Sequence, residues 1–277
     1  MHRIERVVTH PGQAHRDEVF AVGLLFSFLR KTLPIERRNP TAEELLDPTV
    51  AVVDIGGQHD PAINNFDHHQ FPRGVVSCAL WLVAQAVGLH ELLSEYTQWY
   101  QFTGHLDSLG PTGAAKYLKS EKFPFEAMSP MEEDWLENFE KVPNAMASLP
   151  MHFMARQVEK AQKLKADFEE HLEKCTLVSL LGHQVLVGDF IPNPAAMSRV
   201  RRHHHKLGGP TIVASITRDD RGDGWCLYRY DDAKSVDFGK LAGNPKVTFT
   251  HAGGFIAKTL NMPLTEALEL ASGAWVK

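Results

Sequence analysis

Two hydrophobic periods alternate along this chain. Near the N-terminus "ERVVTH" is a short apolar run that reads as a buried strand ending at His10, followed by a Pro-Gly turn. "RDEVFAVGLLFSFLRKTL" then shows helical spacing, with Asp17 and Glu18 in the first turn, where the helix dipole favours acids. "TVAVVDIGG" is a near-continuous β-branched run closed by Gly-Gly, the pattern of a strand buried on both faces. Strand, helix and strand in that order predict a parallel α/β sheet, in which sites gather beyond the carboxyl ends of the strands.

From Val75 to about Tyr117 the spacing is mainly helical, and residues 123–150, rich in Pro and Met, read as a lid or a loop-and-helix region. "MHFMARQVEKAQKLKADFEEHLEKC" is a long charged helix that reads as a connector. After Cys175 short strands, "TLVSLL", "HQVLVGDF", "PTIVASITR" and "WCLYRY", alternate with helical pieces "AAMSRVRRHHHKLG" and "LTEALELASGAW". This predicts a second α/β domain. The expected divisions are 1–150 for the first domain, 151–175 for the connector and 176–277 for the second.

Composition narrows the class. With 43% hydrophobic and 23% charged residues over 277 positions, the chain is globular rather than disordered. The 29 basic residues fall short of the 34 acidic ones, a net charge of −5, which argues against a broadly basic nucleic-acid coat. Three scattered cysteines without a C-x-x-C make a disulfide framework or a cysteine-type zinc site a poor fit and suit a reducing interior. No apolar run reaches transmembrane length and none forms a signal peptide, so the expectation is a cytoplasmic protein.

The fifteen histidines matter through where they fall. "THPGQAHRDE", Thr9 to Glu18, places His10 at a strand end and His15 and Asp17 on the turn into a helix. "VVDIGGQHDPAINNFDHHQ" places Asp54 at the end of a buried strand, where an unpaired carboxylate is costly, and Asp67, His68 and His69 in the following polar loop. Either cluster alone could be caps and surface histidines. Together, at the ends of two predicted parallel strands, they point to a metal site. Imidazole and carboxylate without thiolate suit divalent ions such as manganese, with magnesium or cobalt as alternatives. A strand-end carboxylate can bridge two such ions about 3.5–4 Å apart.

These motifs, with the late "FTHAGGFIA", resemble the melanocyte-proliferating-gene protein family within the DHH phosphoesterase superfamily. The resemblance runs over nearly the whole chain. It implies a parallel-sheet DHH phosphoesterase domain joined by a long connector helix to a smaller α/β substrate-binding domain, with the active site in the cleft between them. It implies two divalent metal ions, with His10 and His15 on the first, Asp17 and His68 on the second, and Asp54 bridging. Asp67 would orient the histidine pair, and His69 would face the substrate phosphate. A fourth-motif ligand is expected after the helical stretch, and Asp107 in "GHLDSLGP" and His105 compete for it, since the family's usual pattern is absent there. In the C-terminal part, His251 would contact substrate, and Gly253 and Gly254, ahead of a helix, would let backbone amides cradle phosphate. Arg199 and Arg202 in "SRVRRHHHKLGG" would contact phosphate, or else form a solvated helix face. The implied activity is two-metal activation of water for phosphodiester hydrolysis, as a 3′–5′ exonuclease on RNA or short oligonucleotides. A small-molecule phosphatase and a non-catalytic metal-binding protein are the alternatives. Base stacking would separate the first two, with Phe71, Trp225 and Phe255 available for it. The oligomeric state stays open, a homodimer included.

Overall fold

A computed structural model describes residues 3–120, 129–231 and 233–276. The chain is α/β throughout, with one sheet in each of two compact units, Met1–Gln162 and Lys163–Lys277.

In the first unit β1 (Arg6–Thr9), β3 (Val50–Val53) and β5 (Asn65–Phe66) run parallel at the centre of a sheet. β2 (Ile35–Arg37) flanks β1 in parallel, and β4 (His59–Asp60) flanks β5 antiparallel, giving the order β2-β1-β3-β5-β4. Val7 and Val8 point to opposite faces, as do Val52 and Val53, and all four are fully buried. On one face α1 (Arg16–Leu29) and α2 (Ala79–Ala86) close the main core around Phe26, Leu80 and Phe66. The smaller opposite face buries Val8, Val50 and Val52 under Leu45.

The register decides the position of the site. Thr9 lies opposite Val53, and Val53 lies opposite Phe66. The next residue on each strand, His10, Asp54 and Asp67, therefore leaves the sheet at the same edge, one strand spacing apart. The sequence pattern did not predict β2, β4 or, among the strands that carry the site, β5. Its two residues lie in the polar "NNF" stretch, too short for any alternation to show.

The helical stretch resolves into α2, α3 (His90–Tyr96) and α4 (Gln98–Tyr117), with α4 broken at Gly110, whose φ of 63° and following Pro111 interrupt the helix. The Pro- and Met-rich segment contains α5 (Pro130–Lys141) and the short α6 (Pro143–Met146), while its part from 123 to 128 lies outside the described residues. The long charged helix is α7 (Ser148–Lys174).

The second unit has a mixed sheet of order β10-β11-β9-β8-β7-β6. It comprises β6 (Thr176–Leu180), β7 (His183–Gly188), β8 (Ile212–Arg218), β9 (Trp225–Arg229), β10 (Val247–Thr250) and β11 (Ile256–Thr259). α9 (Leu264–Ser272) covers one face, and α8 (Pro194–Lys206) covers the other through Met197 and Val200 against Leu186 and Tyr230. One expectation is corrected here. "HAGGF" does not lead into a helix but joins the antiparallel strands β10 and β11, because "FIAKT" has strand spacing and pairs with β9. Among the described residues no helix is long and apolar enough to cross a membrane, and the three cysteines are free.

Candidate metal centre

Asp54 is the centre of the cluster. It is 1% exposed, and its backbone sits in the left-handed region at φ 60°, held by its amide donating to the Phe66 carbonyl at 3.0 Å. Aspartate tolerates this conformation better than most residues, and the turn aims the carboxylate back over the sheet edge. Gly56 and Gly57 follow at φ 100° and 68°, and a side chain at Gly56 would strike Leu45 at 2.8 Å. The "DIGG" sequence is thus a requirement of the turn that carries Asp54.

Around Asp54 stand groups from three other segments. His10 Nε2 is 3.6 Å from Asp54 Oδ2, and His68 Nε2 is 3.2 Å from Asp54 Oδ1 and 3.0 Å from Asp107 Oδ2 on α4. Ligating atoms of His10, His15 and Asp54 lie within 4.8 Å of one another, and so do those of His15, Asp17 and Asp107, and of Asp54, His68 and His69. His15 therefore stands between two groups, where the sequence reading assigned it to one. His105, the rival of Asp107, lies apart: its ring stacks on Tyr117 at 4.4 Å.

Both oxygens of Asp54, Asp17 Oδ1, Asp107 Oδ2, and Nε2 of His10 and His68 are buried without a hydrogen-bond partner. So many unsatisfied polar atoms aimed at one place is rare in a folded interior. Divalent cations answer this deficit, and the nitrogen-and-oxygen donor set fits manganese or magnesium. The charges agree. Burial, then the neighbouring Asp54 and Asp107, holds the Asp17 carboxyl well above its ordinary value, and burial does the same to Asp54. The Glu18 carboxylate pushes His10 up to about 9 against the effect of burial. Burial alone would lower His68, but the carboxylates of Asp107 and Asp54 beside it push it up to about 10. Asp17 and Asp54 thus hold protons more tightly than ordinary carboxyls, and His10 and His68 more tightly than ordinary imidazoles.

The supporting contacts orient the ligands. His10 Nδ1 is 2.8 Å from the Pro11 carbonyl, so Nδ1–H donates there and Nε2 faces the cluster. Asp17 Oδ2 accepts from the Ala79 amide at 3.1 Å, which leaves Oδ1 for the cluster. Asp67 accepts the Gly57 amide at 2.6 Å and, through its other oxygen, both the backbone amide and ring Nδ1 of His69. It orients His69 and the glycine turn, while His68 is set by Asp54 and Asp107. His69, with its side chain 63% exposed, lines a cavity of about 550 Å³ together with His10, His15, Asp54, Gly57 and Gln70.

Glu18 is a residue the sequence reading placed only in a helix first turn. It is fully buried, and one oxygen accepts from Thr9 Oγ1 at 2.6 Å and from Arg37, while the other accepts the His15 amide at 3.2 Å and lies 3.0 Å from His10 Nε2. It ties the end of β1 to the start of α1 and fixes His10 and His15 together. The signal was present as an acid three residues after His15, the spacing of a capping box.

The remaining predicted residues belong to the second unit. Arg199 and Arg202 lie on α8, Arg199 half-buried and Arg202 exposed. His251 Nδ1 accepts the Gly253 amide at 3.0 Å, and the His251 carbonyl accepts the Gly254 amide at 2.8 Å. Both glycine amides are thus engaged within a closed hairpin turn. Trp225, considered for stacking, is fully buried with its Nε1 donating to the Met262 carbonyl, and so offers no face to a base. Phe71 packs edge-on against His59.

Fold and site define an α/β protein with a histidine and aspartate cation cluster at the carboxyl edge of a parallel sheet. Residues 6–74 match the model of MYG1_exonuc, described as an uncharacterised protein family (UPF0160). A search of curated proteins gives no match. Among solved structures, the pGpG-specific phosphodiesterase PggH from Vibrio cholrae is 11% identical over 98% of this chain and 97% of its own, with a TM-score of 0.31. RecJ from Thermus thermophilus in complex with Mn2+ is 12% identical over 97% of this chain and 51% of its own, with a TM-score of 0.30, so this chain spans about half the length of that RecJ. An exopolyphosphatase-related protein from Bacteroides fragilis is 10% identical over 97% and 91%, with a TM-score of 0.27. Overlaps this shallow assign no role to any residue.

Proposed function

We propose that this chain is a metal-dependent phosphoesterase that hydrolyses phosphodiester bonds, acting as a 3′–5′ exonuclease on RNA or short oligonucleotides. The carrying observation is the convergence of buried, unsatisfied atoms of His10, Asp17, Asp54, His68 and Asp107 on one sheet edge. His10, His15 and Asp54 would hold one divalent cation, and Asp17, Asp54, His68 and Asp107 a second. Two such cations supply Lewis acidity and a water acidified enough to act as nucleophile.

The chain's own residues do the rest. Asp54 would serve both cations, and its fixed φ holds that carboxylate before substrate arrives, so little reorganisation would be needed. Glu18 and Pro11 fix the His10 ring. Asp67 takes Nδ1–H of His69 and leaves Nε2 as the ring nitrogen available to the cavity, where it can donate to a phosphoryl oxygen. The Ala79 amide holds Asp17 Oδ2, so that Oδ1 of this buried carboxylate would be the atom offered to its cation. No side chain needs to form a covalent intermediate.

The test is hydrolysis of a 5′-labelled RNA, a matching DNA and inorganic pyrophosphate with added Mn2+. Stepwise shortening of the RNA from its 3′ end is expected, and its abolition in Asp54→Asn. Pyrophosphate release without RNA cleavage would make the protein a small-molecule phosphatase. Inactivity on all three with Mn2+ bound would refute catalysis.

A further inference from the structure

The cation cluster faces two cavities, and the catalytic account uses only the one that His69 lines. The second, of about 280 Å³, shares His15 with the first and is lined also by Asp17, Asp107, Arg16 and Glu132. Arg16 opens α1, between His15 and Asp17 in the chain. It is a cation placed among candidate metal ligands, and no step above employs it.

Two contacts hold the Arg16 side chain. Its guanidinium lies 5.2 Å over the Phe102 ring of α4. Its Nε and Nη2 both donate to the carboxylate of Glu132 in the first turn of α5, Nη2 at 2.7 Å. Two parallel N–H groups on one planar anion form the fork that guanidinium offers to carboxylate and phosphate alike. The two side chains are 13% and 19% exposed, so the pair is within reach of solvent but not laid open to it. Phe102 keeps the guanidinium in place without help from Glu132. Phe139, 1% exposed and two turns beyond Glu132, anchors α5 in the core, so exchange of the first-turn carboxylate does not require the helix to unpack.

The charges of the lining point the same way. Of its three acids, Asp17 and Asp107 stand in a group able to hold a cation, and Glu132 stands in none. With Asp17 and Asp107 engaged by cations, Glu132 is the one acid in the lining left to neutralise Arg16, and another anion can take its place.

We propose that Arg16 is a clamp for a phosphomonoester, which takes the guanidinium fork in this second cavity, and that Glu132 occupies the fork when no anion is bound. This rests on the phosphoesterase reading above: water cleaving a phosphodiester leaves a phosphomonoester on one product and a hydroxyl on the other. A tie that merely joins α1 to α5 makes a different prediction. Loss of either partner would then loosen the site in the same direction, whereas exchange gives the two partners opposite signs.

The test is titration calorimetry of the full Mn2+-loaded chain with methylphosphonate, a phosphomonoester analogue that cannot be hydrolysed. Arg16→Lys, which keeps the charge and loses the fork, should weaken binding roughly tenfold, the worth of one charge-assisted hydrogen bond. Glu132→Gln, which frees the fork, should tighten binding by roughly fivefold, the worth of a partly exposed ion pair. Glu132→Ala should move in the same direction, and the Arg16→Lys, Glu132→Gln double variant should bind like Arg16→Lys. Melting curves confirm the folds, and electron paramagnetic resonance should count as much bound Mn2+ in each variant as in the parent. Weaker binding by Glu132→Gln, parental binding by Arg16→Lys, a fall in bound Mn2+ in Arg16→Lys, or no binding by the parent would overturn the clamp. RNA hydrolysis run beside it separates the two readings. Opposite signs in a chain that leaves RNA intact would support the clamp and strike hydrolysis, and losses of one sign in a chain that shortens RNA would strike the clamp alone.

Discussion

Replacing Asp54 by Asn removes one charge and almost no volume. The backbone should not change, because Asn also accepts a left-handed φ and the amide bond to Phe66 stays. Any effect therefore comes from the carboxylate. In the parent, a cation at a hundredfold excess over its Kd stabilises the fold by about 2.7 kcal/mol, so two cations contribute about 5 kcal/mol. For a unit the size of Met1–Gln162 each kcal/mol moves the melting temperature by roughly 2–4 °C. Saturating Mn2+ should then raise the parent's Tm by about 10–20 °C. In Asp54→Asn that increment should all but vanish, since the two proposed cation sites share this residue, which stands in two of the three ligand groups. In EDTA the order should reverse. Burial raises the Asp54 pKa, so its ionised form opposes folding at neutral pH, and the neutral Asn should melt at or above the parent. Differential scanning fluorimetry with and without Mn2+ reads both differences. A variant that melts below the parent in EDTA and still gains the full increment with Mn2+ would refute the shared role of Asp54.

Three further outcomes follow from the same geometry. Glu18→Gln removes the charge that Thr9, Arg37 and the His15 amide converge on, which should cost roughly 1.5–3 kcal/mol in urea unfolding and reduce Mn2+ stoichiometry, counted by electron paramagnetic resonance, from two to one. Gly104→Ala would drive a methyl into the Trp81 ring, so α4 must shift. We expect a loss of roughly 1–3 kcal/mol and weaker Mn2+ binding through Asp107 one turn on, both read by titration calorimetry and melting. Without cations, stability should fall with rising pH. His10 and His68 are raised from 6.5 to about 9 and about 10, so their stabilisation is complete below 6.5 and is lost as pH rises through those folded values. The raised carboxyls of Asp17 and Asp54 act in the same direction at lower pH. Saturating Mn2+ should cancel the decline, because cation binding releases those protons. A pH-independent Tm in EDTA would contradict this.

Much of the site was legible because strand ends are marked in sequence. A β-branched run stopped by His10 or by Asp54 and two glycines announces both the strand and the edge at which its side chains emerge. The pairing of β5 with β3 was not legible, since two residues carry no period, yet that pairing places Asp67 beside Asp54. Glu18 was hidden because an acid in a helix first turn is already accounted for by the dipole. Its partner Arg37 ends β2, a strand of three residues with charges at two of them, which sequence patterning passes over. Trp225 and Tyr228 show the same limit: strand alternation sends one inward and the other out, and only the register with β8 and β11 says which.

The central claim is a pair of cations bridged by Asp54, and anomalous diffraction from crystals soaked in Mn2+ tests it most directly. The account predicts two peaks about 3.5–4 Å apart, on either side of the Asp54 carboxylate, one against His10 and His15 and the other against Asp17, His68 and Asp107. A single peak away from Asp54, or none at occupancies that saturate in solution, would contradict it.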